Sequence, residues 1–125
     1  MDGTEAFPIY EDLQAYLDMV RDYRTLEVEW LCDAQRGLLG PIDASKLLAS
    51  CEAWPDTFVE QLRRFLHESP GPASLRAISD GIQLRWYPRA NRGIQLYLTT
   101  NVHLQELVRR GEAETVMVAG RKHWV

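Results

Sequence analysis

The amino-acid sequence predicts a single α+β domain in which helices come first and strands follow. Apolar residues recur with a helical period of about 3.6 up to residue 68 and with a period of two from residue 75 onward. The chain-breaking cluster Ser69-Pro70-Gly71-Pro72 separates the two patterns. A chain of 125 residues can form one hydrophobic core. We therefore expect one domain over residues 9–125, preceded by a flexible lead of residues 1–8.

The helical part of the chain divides into four predicted segments. Each carries an apolar stripe at helical spacing, and Gly, Pro or capping residues mark its ends. Asp43 is suited to cap the third segment, and Pro55 suits the first turn of the fourth. The predicted helices are residues 9–24, Leu26–Leu39, Ala44–Ala53 and Asp56–Glu68.

The second part of the chain predicts a hairpin. Ile82, Leu84 and Trp86 alternate with polar residues, as do Ile94, Leu96 and Leu98. The polar segment from Pro88 to Gly93 is suited to connect the two strands as a basic turn. A further helix is expected from about residue 100 to Gly111, followed by a short C-terminal hairpin around Ala119-Gly120.

This order of elements predicts a winged helix-turn-helix. A short helix, a turn and a second helix form a helix-turn-helix, and a following β-ribbon supplies the wing. Ala44–Ala53, Asp56–Glu68 and the strands at 82–98 occur in this order. We therefore expect a winged-helix core over residues 26–98, with an extra N-terminal amphipathic helix and a C-terminal helix plus β-hairpin.

Four stretches resemble the first winged helix of segregation and condensation protein B, an accessory subunit of bacterial SMC–kleisin complexes. They are Glu29-Trp30-Leu31, residues 40–48 (GPIDASKLL), residues 80–84 (DGIQL) and residues 94–100 (IQLYLTT). Members of that family are acidic and bind proteins through their winged helices. The resemblance therefore implies a winged-helix fold and a protein partner such as the kleisin subunit.

Charge is distributed unevenly along the chain, although the formal net charge is only −4. Residues 1–74 carry 14 acidic and 6 basic side chains, whereas residues 75–125 carry 4 acidic and 8 basic ones. Such asymmetry is typical of two faces with different partners or of a self-associating pair of faces. Chance clustering on a solvated surface is the alternative.

Basic and amide side chains in two elements are candidates for nucleic-acid binding. The second helix of a helix-turn-helix presents its exposed side to the major groove, and a cationic wing can follow the phosphate backbone or enter the minor groove. Asp56 and Glu60 on the same helix oppose binding to DNA. The hairpin is equally suited to an acidic protein surface, and a solvated surface remains an alternative for both elements. The candidates are Gln61, Arg63 and Arg64 on the helix, and Arg85, Tyr87, Arg89, Asn91 and Arg92 in the hairpin.

The first helix predicts a second binding surface. Its face opposite the apolar stripe carries Asp12, Asp18 and Asp22. We expect this acidic face to bind a protein partner or a second copy of the chain, which would make the protein a homodimer.

No motif points to catalysis, a metal ion or a cofactor. The three histidines share no ligand spacing with one another or with a cysteine, and no nucleophile elbow or phosphate loop occurs. Cys32 and Cys51 are interpreted as reduced core thiols, although the sequence leaves a disulfide open. No apolar run approaches the roughly 20 residues that span a bilayer, and the acidic N-terminus is unlike a signal peptide. We therefore expect a cytoplasmic protein without a membrane partner.

The sequence favours a non-catalytic regulatory or adaptor protein that acts by binding a macromolecule. In the leading interpretation the basic hairpin associates with DNA. The alternative is a protein–protein interaction module, either an SMC–kleisin-type accessory subunit or a small inhibitor. Such an inhibitor would use its acidic half to block a nucleic-acid-binding complex.

Overall fold

The computed structural model describes residues 10–26, 31–33, 37–89 and 94–125, which form helices and two small antiparallel sheets. The predicted α+β class is confirmed. The helices are α1 (Leu13–Thr25), α2 (Pro41–Glu68), α3 (Leu75–Trp86) and α4 (Ile94–Arg109). The strands are β1 (Leu31–Asp33), β2 (Gly37–Leu39), β3 (Ala73–Ser74), β4 (Thr115–Val118) and β5 (Arg121–Trp124).

The chain divides into two compact units. The described residues of 12–57 form the N-terminal unit, and those of 58–125 together with residues 10 and 11 form the C-terminal unit. The predicted lead, residues 1–8, lies outside the described residues. Helix α2 contributes its first part to one unit and its last part to the other.

Helix α1 of the N-terminal unit confirms the predicted amphipathic helix. The Asp12 carboxylate accepts a hydrogen bond from the backbone N–H of Ala15 at 3.0 Å, which caps the first turn. Tyr16 and Val20 are buried on one side of the helix, as their helical spacing predicts. The Tyr16 hydroxyl donates to the backbone carbonyl of Cys51 in α2 at 2.8 Å.

The predicted helix Leu26–Leu39 is wrong over its described residues. Strands β1 and β2 pair there, with Leu31 opposite Leu39 and Asp33 opposite Gly37. Gly37 has a φ of 75°, a left-handed conformation that ends a right-handed helix and that glycine adopts without steric cost. Residues 27–30 and 34–36 lie outside the described residues.

Helix α2 runs without interruption through Pro55, where the sequence predicted a break between two helices. A proline inside a helix has no N–H for the carbonyl four residues earlier, which here is that of Cys51. The Tyr16 hydroxyl donates to this same carbonyl and so replaces the missing backbone donor. Burial raises the pKa of Tyr16, which therefore stays protonated as the donor.

The C-terminal unit contains a three-stranded antiparallel sheet in the order β3-β5-β4. Ala73 of β3 and Thr115 of β4 both pair with Trp124 of β5, on opposite sides of that strand. The β4–β5 hairpin that the sequence predicted is confirmed. Its two-residue tip, Ala119-Gly120, has positive φ at both positions, as a type I′ turn requires.

The strands predicted at 82–86 and 94–98 are wrong, because both segments are helical in α3 and α4. The buried positions follow a helical period, but several of them hold polar side chains that conceal it. In α3 the buried residues are Ile78, Ser79, Ile82 and Gln83, whereas Leu84 is exposed. In α4 they include Leu96, Thr99, Thr100, His103, Leu104 and Leu107.

Gly81 allows α3 to pack closely against the last part of α2. An added Cβ at this position would lie only 2.7 Å from Cζ of Phe65, well inside van der Waals contact. The Asp80-Gly81 pair therefore reflects close helix packing, where the sequence suggested a turn. The Ser74 hydroxyl caps α3 by accepting the N–H of Ala77 at 3.1 Å.

Helix α4 ends in a Schellman motif at Gly111. The N–H of Glu112 donates to the carbonyl of Leu107, and the N–H of Gly111 donates to that of Val108. Gly111 has a φ of 75°, which suits glycine at this position. This turn directs the chain from α4 into the β4–β5 hairpin.

Candidate nucleic-acid interface

The residues predicted for a basic hairpin lie instead on helices and on the segment that joins them. Arg85 is in the last turn of α3, and Tyr87 and Arg89 follow the helix. Asn91 and Arg92 lie outside the described residues. The predicted juxtaposition of these side chains on one strand pair is therefore wrong, because residues 82–86 form a helix.

The predicted contacts on α2 are bonded to other side chains of the C-terminal unit. Gln61 accepts a hydrogen bond from the buried Tyr87 hydroxyl at 2.7 Å. Arg63 bonds Glu60 and, at 2.9 Å, Glu112. The hydrogen bond with Glu112 is the main cause that raises the pKa of Arg63.

Arg64 and Arg85 are brought together by one carboxylate, that of Glu68. Arg64 approaches it at 3.2 Å, and Arg85 bonds its other oxygen while its guanidinium lies 4.5 Å from the Trp86 ring centroid. The hydrogen bond from Arg85, followed by that from Arg64, lowers the pKa of Glu68. This cluster retains one net positive charge, but both of its arginines are held in place.

A second cluster of the same kind lies at the C-terminal end of α4. Glu106 bonds Arg109 and Arg110, which follow it by three and four positions. The hydrogen bond from Arg109, followed by that from Arg110, lowers the pKa of Glu106 to about 2. The end of α4 is therefore also net positive.

The exposed side of α4 is chemically different from its buried side. Asn101, Gln105 and Arg109 follow one another at intervals of one helical turn and are at least partly exposed. Two amides and one cation thus form a row along the helix. Asn101 and Gln105 lie on the helix predicted from about residue 100, but they were not among the predicted contacts, because the predicted helix-turn-helix lay earlier in the chain, at residues 44–68.

The hairpin that the structure does contain carries exposed cations. Arg121 and Lys122 are exposed on β5, directly after the tip. Within the described ranges, neither side chain forms an ion pair. The Lys122 ammonium lies 5.5 Å from the ring centroid of Trp124. The sequence signal for this site is the Ala119-Gly120 turn followed by two basic residues, which entered the prediction only as part of the net charge of residues 75–125.

His103 is fully buried and belongs to the interior of the C-terminal unit. Its Nε2 atom shares a hydrogen bond with the Tyr10 hydroxyl, and the two rings lie 5.6 Å apart in an edge arrangement. The Phe58 ring lies 5.2 Å from it on a tilted plane. This contact attaches residue 10 to α4. Because His103 has no exposed surface, it is an anchor of the fold and lies outside the interface.

The acidic residues predicted on α1 have different local roles. Asp12 caps the helix, and Asp18 accepts a hydrogen bond from the Gln14 side chain at 2.9 Å. Asp22 is exposed near the end of α1. Cys51 is not in a disulfide with a described residue, and the side chain of Cys32 lies outside the described residues.

The described residues contain no group of three His, Cys, Asp or Glu side chains placed to hold a metal ion. None of the helices in the described ranges has the length and apolar character needed to cross a bilayer. No protein-family model, curated protein or solved structure matches the chain.

Proposed function

We propose that the C-terminal unit is a winged helix-turn-helix that binds duplex DNA, with α4 as the helix that enters the major groove. In this arrangement a helix and a short strand precede the helix-turn-helix, and the wing strands pair back onto that strand. The last part of α2, then β3, α3, α4, β4 and β5, follow this order. The sheet order β3-β5-β4 is the observation that carries the proposal.

This assignment moves the winged helix toward the C-terminus relative to the sequence prediction. Helices α3 and α4 take the place of the helix-turn-helix, and the β4–β5 hairpin takes the place of the wing. Gln61, Arg63 and Arg64 then belong to the supporting helix. Arg89 then belongs to the segment that leads into α4, and Asn91 and Arg92 lie outside the described residues.

The row on α4 supports a role in contacting bases. Side-chain amides of Asn and Gln form paired hydrogen bonds with adenine in the major groove. Asn101 and Gln105 present two amides one turn apart, and Arg109 is suited to a phosphate at the end of the row.

The cations of the hairpin support contacts with the DNA backbone. Arg121 and Lys122 are exposed and have no carboxylate partner among the described residues, so no ion pair must be broken when they bind a phosphate. Arg64 and Arg85, in contrast, would have to share Glu68 with the DNA. We therefore expect the hairpin to contribute more than these arginines to affinity.

Fluorescence anisotropy with a labelled generic duplex tests this function. We expect binding at about 50 mM salt that weakens strongly at about 200 mM salt, because phosphate contacts release counterions. Arg121→Ala/Lys122→Ala should weaken binding and lower the slope of log affinity against log salt by about two. Arg63→Ala/Arg64→Ala removes the same charge from ion-paired positions and should change the slope less. Absence of binding at the lower salt concentration would overturn the proposal.

A second candidate function is protein–protein interaction, as in an SMC–kleisin-type accessory subunit or a small inhibitor. It is favoured by the apolar side chains of Met117 and Val118, which are exposed on the same hairpin. An interface with DNA needs no such side chains at its surface, whereas a protein interface combines apolar and charged groups. A protein that fails to bind DNA at any salt concentration but still binds another protein through this hairpin would fit this candidate.

A further inference from the structure

Helix α1 has an exposed apolar row beside an acidic row. Met19 and Tyr23 lie one turn apart and are 45% and 46% exposed, and Leu26 follows the last turn with 56% exposure. Asp18 and Asp22, also one turn apart, form the neighbouring row. Like charges at this spacing repel each other, so a cation bound between them would relieve the repulsion.

The basic side chains of α1 do not neutralise this acidic row. Arg21 and Arg24 both bond Glu52 of α2, which lies in the same unit. The hydrogen bond from Arg24, followed by that from Arg21, lowers the pKa of Glu52. Asp18 receives only the uncharged amide of Gln14, and neither Asp18 nor Asp22 forms an ion pair with a described residue. The acidic row therefore stays available to an outside cation.

The β4–β5 hairpin has the complementary composition. Met117 pairs with Lys122 across the strands, so the two side chains share one face. Val118 and Arg121 pair next to the tip and share the other face. Met117 is 68% exposed, and the cations beside it have no ion pair within the described ranges. The hairpin thus offers two cations and two apolar side chains in a narrow ribbon.

We propose that copies of this chain associate head to tail, with the β4–β5 hairpin of one copy docked on the exposed face of α1 of another. Met117 would pack against Met19 and Tyr23, and Lys122, which shares the face of Met117, would lie beside Asp18 and Asp22. Arg121 lies on the other face next to the tip and would attract the acidic row from a greater distance. The occupant is a second copy because this chain itself carries the complementary surface. Association does not depend on DNA binding, although both use the hairpin and would therefore compete.

The geometry of the contact determines the expected assembly. The two surfaces differ, so the contact is heterologous. An open assembly therefore has an unused hairpin at one end and an unused α1 face at the other. Such contacts produce open chains or closed rings. Both surfaces are small, so we expect weak association that increases with protein concentration and decreases with salt.

Sedimentation velocity of the full chain without nucleic acid tests the proposal. Wild-type protein at low salt should increase in average mass from low micromolar to near-millimolar concentration. Asp18→Lys/Asp22→Lys and Arg121→Glu/Lys122→Glu should each remain monomeric. An equimolar mixture of the two variants should associate again, because the intact hairpin of the first meets the intact acidic row of the second and the two reversed surfaces are also opposite in charge.

Two controls separate this mechanism from general effects of charge. Asp43→Lys/Asp56→Lys changes the net charge by the same amount as Asp18→Lys/Asp22→Lys, at exposed positions of α2 that belong to neither surface, and should associate like the wild type. Circular dichroism should show the same helical content in all variants. Wild-type protein that is monomeric throughout the concentration range would overturn the proposal, as would a mixture that gives no dimer. The DNA affinity of Asp18→Lys/Asp22→Lys should be measured as well. Association that is lost while DNA binding survives shows that the two functions fail independently.

Discussion

The two compact units are built on different interiors. The described buried side chains of the N-terminal unit are aliphatic or aromatic, with Tyr16 the one that also carries a polar group. The C-terminal unit buries five further polar side chains, all of them on α3 or α4, namely Ser79, Gln83, Thr99, Thr100 and His103. The buried polar side chains of the described residues are therefore concentrated on α3 and α4, whereas the buried residues described in the N-terminal unit include a single polar group, the Tyr16 hydroxyl.

In both units, the hydroxyl of a buried tyrosine hydrogen-bonds a group that is distant in the sequence. In the N-terminal unit the Tyr16 hydroxyl satisfies the Cys51 carbonyl that Pro55 leaves without a backbone donor. In the C-terminal unit the Tyr10 hydroxyl bonds His103, and that of Tyr87 bonds Gln61. An unsatisfied buried polar group costs much more than a net hydrogen bond contributes, so each pairing fixes one arrangement of the helices.

The largest expected effect comes from removing the buried histidine. His103→Ala leaves a cavity beside Phe58 and removes the partner of the Tyr10 hydroxyl. We expect the free energy of unfolding to fall by about 2–4 kcal/mol, measured by urea denaturation. Gln105→Ala on the exposed side of the same helix should change it by less than about 0.5 kcal/mol. Equal effects of the two substitutions would mean that the polar layer does not support the fold.

A smaller effect is expected at the hydrogen bond of the N-terminal unit. Tyr16→Phe removes the donor to the Cys51 carbonyl and should cost about 1–2 kcal/mol. In a Pro55→Ala background the restored N–H can donate to the same carbonyl, so the same substitution should cost less. A double-mutant cycle of urea denaturation curves measures this coupling. Additive effects would show that the hydroxyl and the proline act independently.

These two sites also explain which parts of the fold could be predicted from sequence. Helix α1 was predicted because Tyr16 and Val20 follow a clear apolar period, and the β4–β5 hairpin because Val116 and Val118 alternate before the Ala119-Gly120 turn. The continuity of α2 could not be predicted, because Pro55 breaks a helix unless a distant side chain supplies the missing donor. That donor, Tyr16, is 35 positions from Cys51 in the sequence.

The prediction of residues 82–86 of α3 and 94–98 of α4 as strands failed for a related reason, whereas the helix predicted from about residue 100 is confirmed as the rest of α4. Ser79 and Gln83 fill helical core positions in α3, as Thr99 does in α4, so the apolar residues that remain alternate as in a strand. The predicted positions of the candidate contacts depended on these elements. Arg85 and Arg89 do not lie on a hairpin, whereas Asp18 and Asp22 lie on the exposed side of α1, as predicted. That side was predicted correctly because the apolar period identified the buried side of the helix.

The smallest expected effect on stability comes from two surface carboxylates, one in each unit. Glu52 and Glu106 each bond two arginines, and hydrogen bonds from those arginines lower the pKa of both. Glu52 is bonded by arginines of another helix, whereas Glu106 is bonded by neighbours three and four positions away. Loss of Glu52 therefore removes a contact between helices, while loss of Glu106 removes only local support.

A carboxylate with a lowered pKa stabilises the fold above its unfolded pKa, and this contribution is lost as pH falls toward its folded pKa. For Glu106 the loss should occur between about pH 4.3 and about pH 2. Solvent screening should keep the effect of Glu106→Gln below about 1 kcal/mol. Thermal denaturation at neutral pH should show a larger fall in Tm for Glu52→Gln than for Glu106→Gln, with both differences from wild type shrinking in acid. A larger effect at Glu106 would mean that local pairs within α4 stabilise the protein more than the contact between α1 and α2.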